Sequence, residues 1–376
     1  MTQAASEARI GVNLLWCVPG AVGGSEQYLS RQLAGLLMLD DPTAVTVFAT
    51  AAFNRVHAGD LAGSILVDAP GDGIRRWKRV LDENTWLRRR TRGFDLVHHG
   101  GGTAPTRARL PYVLTVHDLQ YRSFPEHFGR LKRSYLDATM PRSARHAAVV
   151  TVPSNYVRST VIEHFGVHPD RVLVVPHGYQ APLPEQSTPE HELRQRFALG
   201  DGPVIVYPAM TAPHKNHRFL IELMRRSWTD PALRLVLIGG RGSADDDVAA
   251  AIAASAPSVQ ARIIRPGRVP DADRNGLLSL ATALVFPSEY EGFGAPLIEA
   301  MALGTPVVCS DSTCLPEVAG DAAIVLPLHH EAWADALGAV AARREALVAA
   351  GLGRVAGYTL QRSGAALRSA YEQALS

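Results

Sequence analysis

The chain has 376 residues, 47% of them hydrophobic, and its 38 Lys and Arg against 36 Asp and Glu leave a net charge of only +2. That length exceeds one ordinary core and predicts two domains, while the charge balance excludes a dedicated nucleic-acid binder, which carries a dominant basic surface. Cys17, Cys309 and Cys314 show no CxxC spacing, which excludes a disulfide framework and a cysteine zinc site.

Neither a basic-then-apolar leader nor a run of about 18 apolar residues occurs, so neither signal peptide nor membrane span is expected and the protein is predicted to be cytoplasmic. Taken in chain order, short apolar runs at 9–16, 44–49, 95–99, 112–118, 147–152 and 171–176 are separated by helical segments. Continuous, non-alternating runs of this kind fit parallel strands buried on both faces. The first leads into VPGAVGGSEQYLSRQL (18–33). There Gly20, Gly23 and Gly24 open backbone conformations closed to other residues, Ser25 is expected as the N-cap, and Leu29, Leu33 and Leu37 mark one helical face. Such a turn presents amides to an anion. It matches neither the P-loop nor GxGxxG, so a plain strand-to-helix turn is the equal alternative.

WKRVLDENTWLRRRTR (77–92), with Arg75 and Arg76, gathers eight basic residues around Trp77 and Trp86. An anionic membrane surface or acidic partner suits such a mixture; a solvated basic helix is the commoner outcome. Two later strands end in histidines: LVHHGGGTAP in His98 and His99, LTVHDLQ in His117 followed by Asp118. At a strand's carboxyl edge His117 is suited to donate to a substrate hydroxyl or developing charge, with Asp118 orienting its ring or pairing elsewhere; a histidine satisfying local backbone is the commoner outcome for an isolated His–Asp pair. His98, His99 and Asp118 are the residues offered for an acceptor. No HxxxH or HExxH spacing is present, so no metal is expected.

The polar, Pro-rich stretch at 180–195 reads as a linker, giving an N-terminal domain of residues 1–180, a linker of 181–195 and a C-terminal domain of 196–356. The strand pattern restarts at 203–209, 234–240, 261–267, 283–288, 306–310 and 323–327. The fold class is therefore α/β, two Rossmann-like doubly wound parallel-sheet domains facing across a cleft, with ligands at the strands' carboxyl ends. The Ala- and Leu-rich tail predicts terminal helices, residues 357–376 packing back on the first domain.

In YPAMTAPHKNHRFLIELM (207–224), Lys215 stands just before a helix beginning near Asn216, a position suited to clamping a diphosphate; a solvated surface lysine is the alternative. SEYEGFGAPLIEAM (288–301) follows a buried strand. Pro296 is expected as the first helical residue, Gly304 as the stop, and Glu299 in the first turn. The amides of Gly292, Phe293, Gly294 and Ala295 then point outward between Glu291 and Glu299. Carboxylates accept hydrogen bonds from diols and amides bind anionic oxygen, a combination that fits a nucleotide sugar. The competing explanation is two glutamates favoured electrostatically near a helix N-terminus.

EYEGFGAPLIEAMALGTPVV resembles the E-x7-E signature of the retaining glycosyltransferases of family 4, built on the GT-B fold, with Glu291 and Glu299 as its acids. The glycine loop at 23–24, VHD at 116–118, VPSNYVRSTV at 152–161, VVPHG at 174–178 and PHKNH at 213–217 follow the family's order. The resemblance implies that Glu299 binds the ribose and Glu291 the sugar hydroxyls. It implies that Lys215 and the amides of Phe293 to Ala295, Gly23 and Gly24 hold the diphosphate or sugar, that His117 lies near the sugar, and that the backbone of Arg268 and Val269 meets the base. His117, Lys215 and Glu291 are the implied catalytic set. Many relatives carry an arginine five residues before the clamp lysine; Met210 stands there, leaving Arg241 or Arg268 to compensate.

The implied reaction needs no cofactor or metal, retains configuration, and uses a donor phosphate oxygen to take the acceptor's proton. Its expected partners are a nucleotide-diphosphate sugar, with GDP-mannose and mannosyl transfer indicated by YPAMTAPHKNH, and a glycan, glycolipid or lipid-linked acceptor. Residues 75–92 are the segment offered for peripheral contact with the inner face of the membrane, beside the commoner reading of a solvated basic helix. Two other readings were weighed: a catalytically silent nucleotide-sugar-binding partner subunit, and a Rossmann oxidoreductase, discounted because GLGRVAG (351–357) follows no strand.

Overall fold

The structure is a computed structural model that describes residues 8–41, 43–182 and 184–376. They form two compact units, Met1–Tyr179 with Tyr358–Ser376 and Gln180–Gly357.

The first unit is built on seven parallel strands: β1 (Ile10–Leu14), β2 (Val45–Ala49), β3 (Ile65–Asp68), β4 (Leu96–His99), β5 (Tyr112–Thr115), β6 (Val149–Val152) and β7 (Val172–Val174), in the order β3-β2-β1-β4-β5-β6-β7. β1, β4, β5 and β6 are buried at every position. Helices on both faces of a parallel sheet cover both sets of side chains, so these strands read as unbroken apolar runs. β3 was not anticipated: it is a four-residue edge strand whose ends are exposed, too short and too open to leave such a run.

The helix Gly24–Leu37 buries Tyr28, Leu29, Leu33 and Leu36 in the core. The C-terminal helix Leu360–Leu375 packs on it and adds Leu367, Ala370 and Tyr371 to the same core. The contact is backbone on backbone. A Cβ at Gly35 would strike the main chain of Leu360, and one at Gly364 the main chain of Gly35 and Leu36. The chain returns to this unit through Tyr179 N–H donating to Tyr358 O at 2.7 Å.

The second unit holds six parallel strands: β8 (Val204–Pro208), β9 (Arg234–Ile238), β10 (Ile263–Gly267), β11 (Ala283–Phe286), β12 (Val307–Ser310) and β13 (Ala323–Leu326), in the order β10-β9-β8-β11-β12-β13. The order reverses between β8 and β11, and between β1 and β4 in the first unit. In open α/β sheets the carboxyl ends of strands at such a switch point leave a crevice for ligands. The stretch expected as linker through residue 195 instead forms part of the second unit. Its helix Glu190–Arg196 buries Leu193, which lies against Gly276 in the helix Asp271–Leu280, and Arg196 pairs with Asp273 at 2.6 Å. One apolar residue among polar neighbours suffices to seat it, a signal that composition conceals.

Candidate active site

At the β8/β11 switch point, Pro213–Lys215 make one tight turn and Asn216 adopts φ 54, a left-handed conformation asparagine tolerates, before the helix His217–Arg226. The turn is fixed from beneath. Tyr207 of β8, fully buried, donates its hydroxyl to Lys215 O at 2.7 Å, and its ring meets Phe286 of β11 edge-on. The loop after β11 grips the same turn, Glu289 N–H donating to His214 O at 2.8 Å and Ser288 Oγ to the same carbonyl at 3.2 Å.

These restraints bring Lys215 Nζ within 2.5 Å of Glu291 Oε1, the two side chains being 17% and 12% exposed. Partial burial limits solvent screening, so the ammonium both orients the carboxylate and supplies a local positive field. Glu291 is also held by its main chain. Its N–H donates to Thr313 Oγ1 at 3.1 Å and its carbonyl accepts from Cys314 Sγ at 3.2 Å. Burial, followed by the charge of Glu291, pushes both the Cys314 thiol and the Tyr207 phenol well above their ordinary values. Thr313 sits at φ 54. A β-branched residue there is strained, and strain of this kind is retained where surrounding contacts over-determine it.

Gly294, at φ 84, caps the helix Ala295–Ala302; a Cβ there would press on Leu315 Cδ2 at 2.6 Å, so only glycine lets the loops after β11 and β12 interlock. The helix begins at Ala295 with Pro296 second, which moves Glu299 from the expected first turn to the second. Glu299 is 5% exposed, one turn beyond Ala295 on the same face. The first amides of a helix lack intrahelical partners, so Gly292, Phe293, Gly294 and Ala295 lead into a site biased toward anions. Gly304, at φ 72, ends the helix as expected.

Of the two arginines considered for the role left open at Met210, Arg241 is tied to Asp245 at 2.9 Å and Asp246 at 3.1 Å. Arg268, which with Val269 follows β10, extends its Nη2 to 3.9 Å from where Gly240 would carry a Cβ; the neighbouring Gly239 packs directly on the main chain of Ala209 and Met210.

In the first unit Gly23 takes φ 62 and is itself the cap of the helix that Gly24 begins; Ser25 makes no capping bond, contrary to expectation. A Cβ on Gly23 or Gly24 would meet nothing within 4 Å, so the backbone here is open on its side-chain face. Glu26 secures this loop, accepting from Gly20 N–H at 2.7 Å while its other oxygen meets His57 Nε2 at 2.9 Å. His117 donates from Nε2 to Gly100 O at 2.8 Å and lies against Trp16 and Tyr28. Burial holds its pKa below the ordinary histidine value. Neutral His117 therefore presents Nδ1 as an acceptor, not the donor expected. Gly100, not Asp118, orients the ring; Asp118 Oδ1 accepts from Gln120 N–H at 2.9 Å in a local turn.

His98 does not join any site. It is 0% exposed, bonded to Tyr371 Oη at 2.9 Å and Thr115 Oγ1 at 2.7 Å. As part of the central strand β4 it is covered on its face, and offers nothing to an acceptor. His99, on the opposite face, is nearly buried and accepts from Asn13 Nδ2 at 3.0 Å. Burial drops both imidazoles to about 3. Thr313, Tyr207, Ser288 and Glu26 escaped the sequence reading, since hydroxyls and a helix-borne glutamate carry no spacing signal there.

Residues 22–181 match the family model described as Glycosyltransferase Family 4, and residues 190–348 that described as Glycosyl transferases group 1. O-antigen chain mannosyltransferase B of Escherichia coli is 31% identical over 237 residues, 61% of this chain and 61% of that protein's length. The D-inositol 3-phosphate glycosyltransferase of Jonesia denitrificans is 28% identical over 336 residues, 79% of this chain and 75% of its own. The crystal structure of Anabaena HepE in complex with UDP and glucose aligns with a TM-score of 0.74 at 18% identity, covering 97% of this chain and 99% of that one, and so shares the GT-B fold. With the two family models falling one on each half of the chain and the E-x7-E loop set at the switch point of the second sheet, the protein belongs to the family-4 glycosyltransferases.

Proposed function

We propose that the protein transfers a hexose, mannose from GDP-mannose, to a hydroxyl of a glycan, glycolipid or lipid-linked acceptor, with retention and without a metal ion. The observation that carries this reading is the Lys215–Glu291 pair beside the amides that open the helix Ala295–Ala302. As the glycosidic bond breaks, negative charge gathers on the diphosphate; a preorganised ammonium and aligned amides stabilise it where it develops. Glu291, held by Lys215 and Thr313, receives sugar hydroxyls, Glu299 the ribose, and Arg268 supplies the cation that Met210 does not. In the first unit, Gly24 offers an amide to an anion and His117 Nδ1 accepts from a sugar hydroxyl. The choice of mannose is supported by the mannosyltransferase of Escherichia coli.

The test is thermal stabilisation by GDP, UDP, dTDP and ADP and their sugars, with no metal added. A ligand that binds only the native state raises its stability by RT ln(1 + L/Kd), L being the free ligand concentration, so at one concentration the tighter ligand gives the larger shift. GDP-mannose is expected to give the largest shift, lost in Glu299→Ala. Absence of a shift with every nucleotide sugar overturns the reading.

Contact with an anionic membrane surface is supported by a second observation. Trp77 and Leu81 are exposed one turn apart on the helix Arg76–Asp82, Trp77 by 68%, with Ile74 exposed just before it and Leu131 exposed by 89% on the helix Arg130–His146. Arg76 stacks over Tyr135 and joins the two helices, and Arg75, Lys78, Arg130, Lys132 and Arg133 stand next to the apolar residues in sequence. Apolar side chains set among basic ones bind anionic bilayers through both terms. Among the described residues no helix is long and apolar enough to cross a membrane. Co-sedimentation with anionic but not neutral vesicles is expected, and Trp77→Ser with Leu131→Ser should abolish it; vesicle binding unchanged in that variant would contradict this surface.

A further inference from the structure

Beside β4, enclosed by the continuation of the helix Arg76–Asp82 and by residues 105–110, lies a cavity of about 210 Å3. Cavities of about 150 Å3 already admit a benzene ring when their walls are apolar, and here Leu87, Val97 and Leu110 supply such walls. One side is a π-helical turn, Glu83–Leu87, that interrupts the α-helix and brings both its end residues to the cavity. Turns of this kind are rare and are frequently found at functional sites.

The deep end is polar, and its groups have partners. Glu83 and His99, both nearly buried, are linked by the Asn13 amide, which donates to Glu83 Oε1 at 3.3 Å and His99 Nδ1 at 3.0 Å. Burial raises the Glu83 carboxyl pKa, against the pull of Arg79 3.9 Å away, and drops the His99 imidazole to about 3. The outer end has the opposite character. Arg88, Arg92, Arg107 and Arg109 line it with side chains that form no ion pair or hydrogen bond among the described residues. Like charges brought together without a counter-charge repel, and guanidinium groups are matched in geometry to phosphate.

We propose that this cavity binds an anionic amphiphile, a single alkyl or prenyl chain bearing a phosphate, with the first segment of the chain against Leu87, Val97 and Leu110 and the phosphate on the arginine rim. None of the donor residues takes part, and the proposal stands whether or not the protein turns over a sugar nucleotide.

The test is titration calorimetry of the full chain with dodecyl phosphate below its micelle concentration, with dodecyl maltoside and with inorganic phosphate. One-to-one binding of dodecyl phosphate is expected, at least tenfold tighter than either control. Arg107→Glu with Arg109→Glu, at exposed positions, should weaken it a further tenfold at unchanged melting temperature, and Ala108→Trp should block the mouth. Vesicles of phosphatidic acid, offered to the Trp77→Ser, Leu131→Ser protein so that the other surface is silent, separate the sources of the ligand: capture that is lost on adding the rim substitutions assigns a membrane lipid, whereas absence of capture while dodecyl phosphate still binds assigns a soluble one. Equal binding of the two detergents, inorganic phosphate binding as tightly as dodecyl phosphate, or affinity unchanged in both variants would overturn the proposal.

Discussion

Glu291 is the residue on which most restraints converge: an ammonium on its carboxylate, a threonine hydroxyl on its amide and a thiol on its carbonyl. Lys215→Met removes the charge proposed to face the diphosphate and should lower kcat/KM by about 10²–10³-fold, the scale of losing one preorganised stabilising group. Thr313→Val deletes the acceptor for Glu291 N–H while keeping the strained, branched side chain; a loss of about 1–2 kcal/mol in positioning, near tenfold in kcat/KM, is expected. Thr313→Ser retains the hydroxyl and should stay close to wild type, so equal rates for the two variants would remove Thr313 from the site. Glu291, Glu299 and Lys215 were legible because carboxylates and a lysine stand at fixed distances from glycines at a strand's end. Thr313 was not, because the sign of φ is absent from a sequence. His98 was misread because a residue near a strand's carboxyl end can be as deeply buried as its first.

β4 is held in the sheet by polar as well as apolar contacts. His98 bonds Tyr371 of the C-terminal helix and Thr115 of β5, and Thr115 bonds Thr151 of β6 at 2.8 Å. Tyr371→Phe would leave a buried ring nitrogen without its partner and should cost about 1–3 kcal/mol, measured by denaturant unfolding. The same strand sets an acid limit. His98 and His99 titrate near 3 folded and near 6.5 unfolded, so below 6.5 the unfolded chain takes up protons that the native state refuses. Stability is therefore full above that pH and declines as the pH falls toward 3. Melting temperatures between pH 7 and 4 should drop accordingly, and less steeply in His98→Asn; identical slopes would exclude the histidine. The twelve strands that form continuous apolar runs were readable, while β3 and the helix Glu190–Arg196 were not, because an open edge strand and a single buried leucine lack periodicity.

At the scale of the whole molecule, the chain crosses to a second α/β unit and ends on the first, through a helix contact that requires Gly35 and Gly364. Gly364→Val would force the two backbones apart and should destabilise the first unit by about 1–3 kcal/mol or more, the range for overpacked cores; a melting temperature equal to wild type would contradict the close packing. Two parallel-sheet units follow from the repeated strand pattern, but the Gly–Gly contact does not, since glycines in a helical tail look like breakers until their neighbours are known. The family, the fold and the site meet in one chemical claim, that Lys215 and Glu291 serve retaining transfer from a nucleotide-diphosphate sugar. It is tested most directly by proton NMR of the anomeric centre during turnover of GDP-mannose with a panel of glycan acceptors in the presence of a chelator. The account predicts a product with the donor's anomeric configuration, formed at a rate the chelator leaves unchanged and lost in Lys215→Met. An inverted product, or undiminished turnover in that variant, would contradict it.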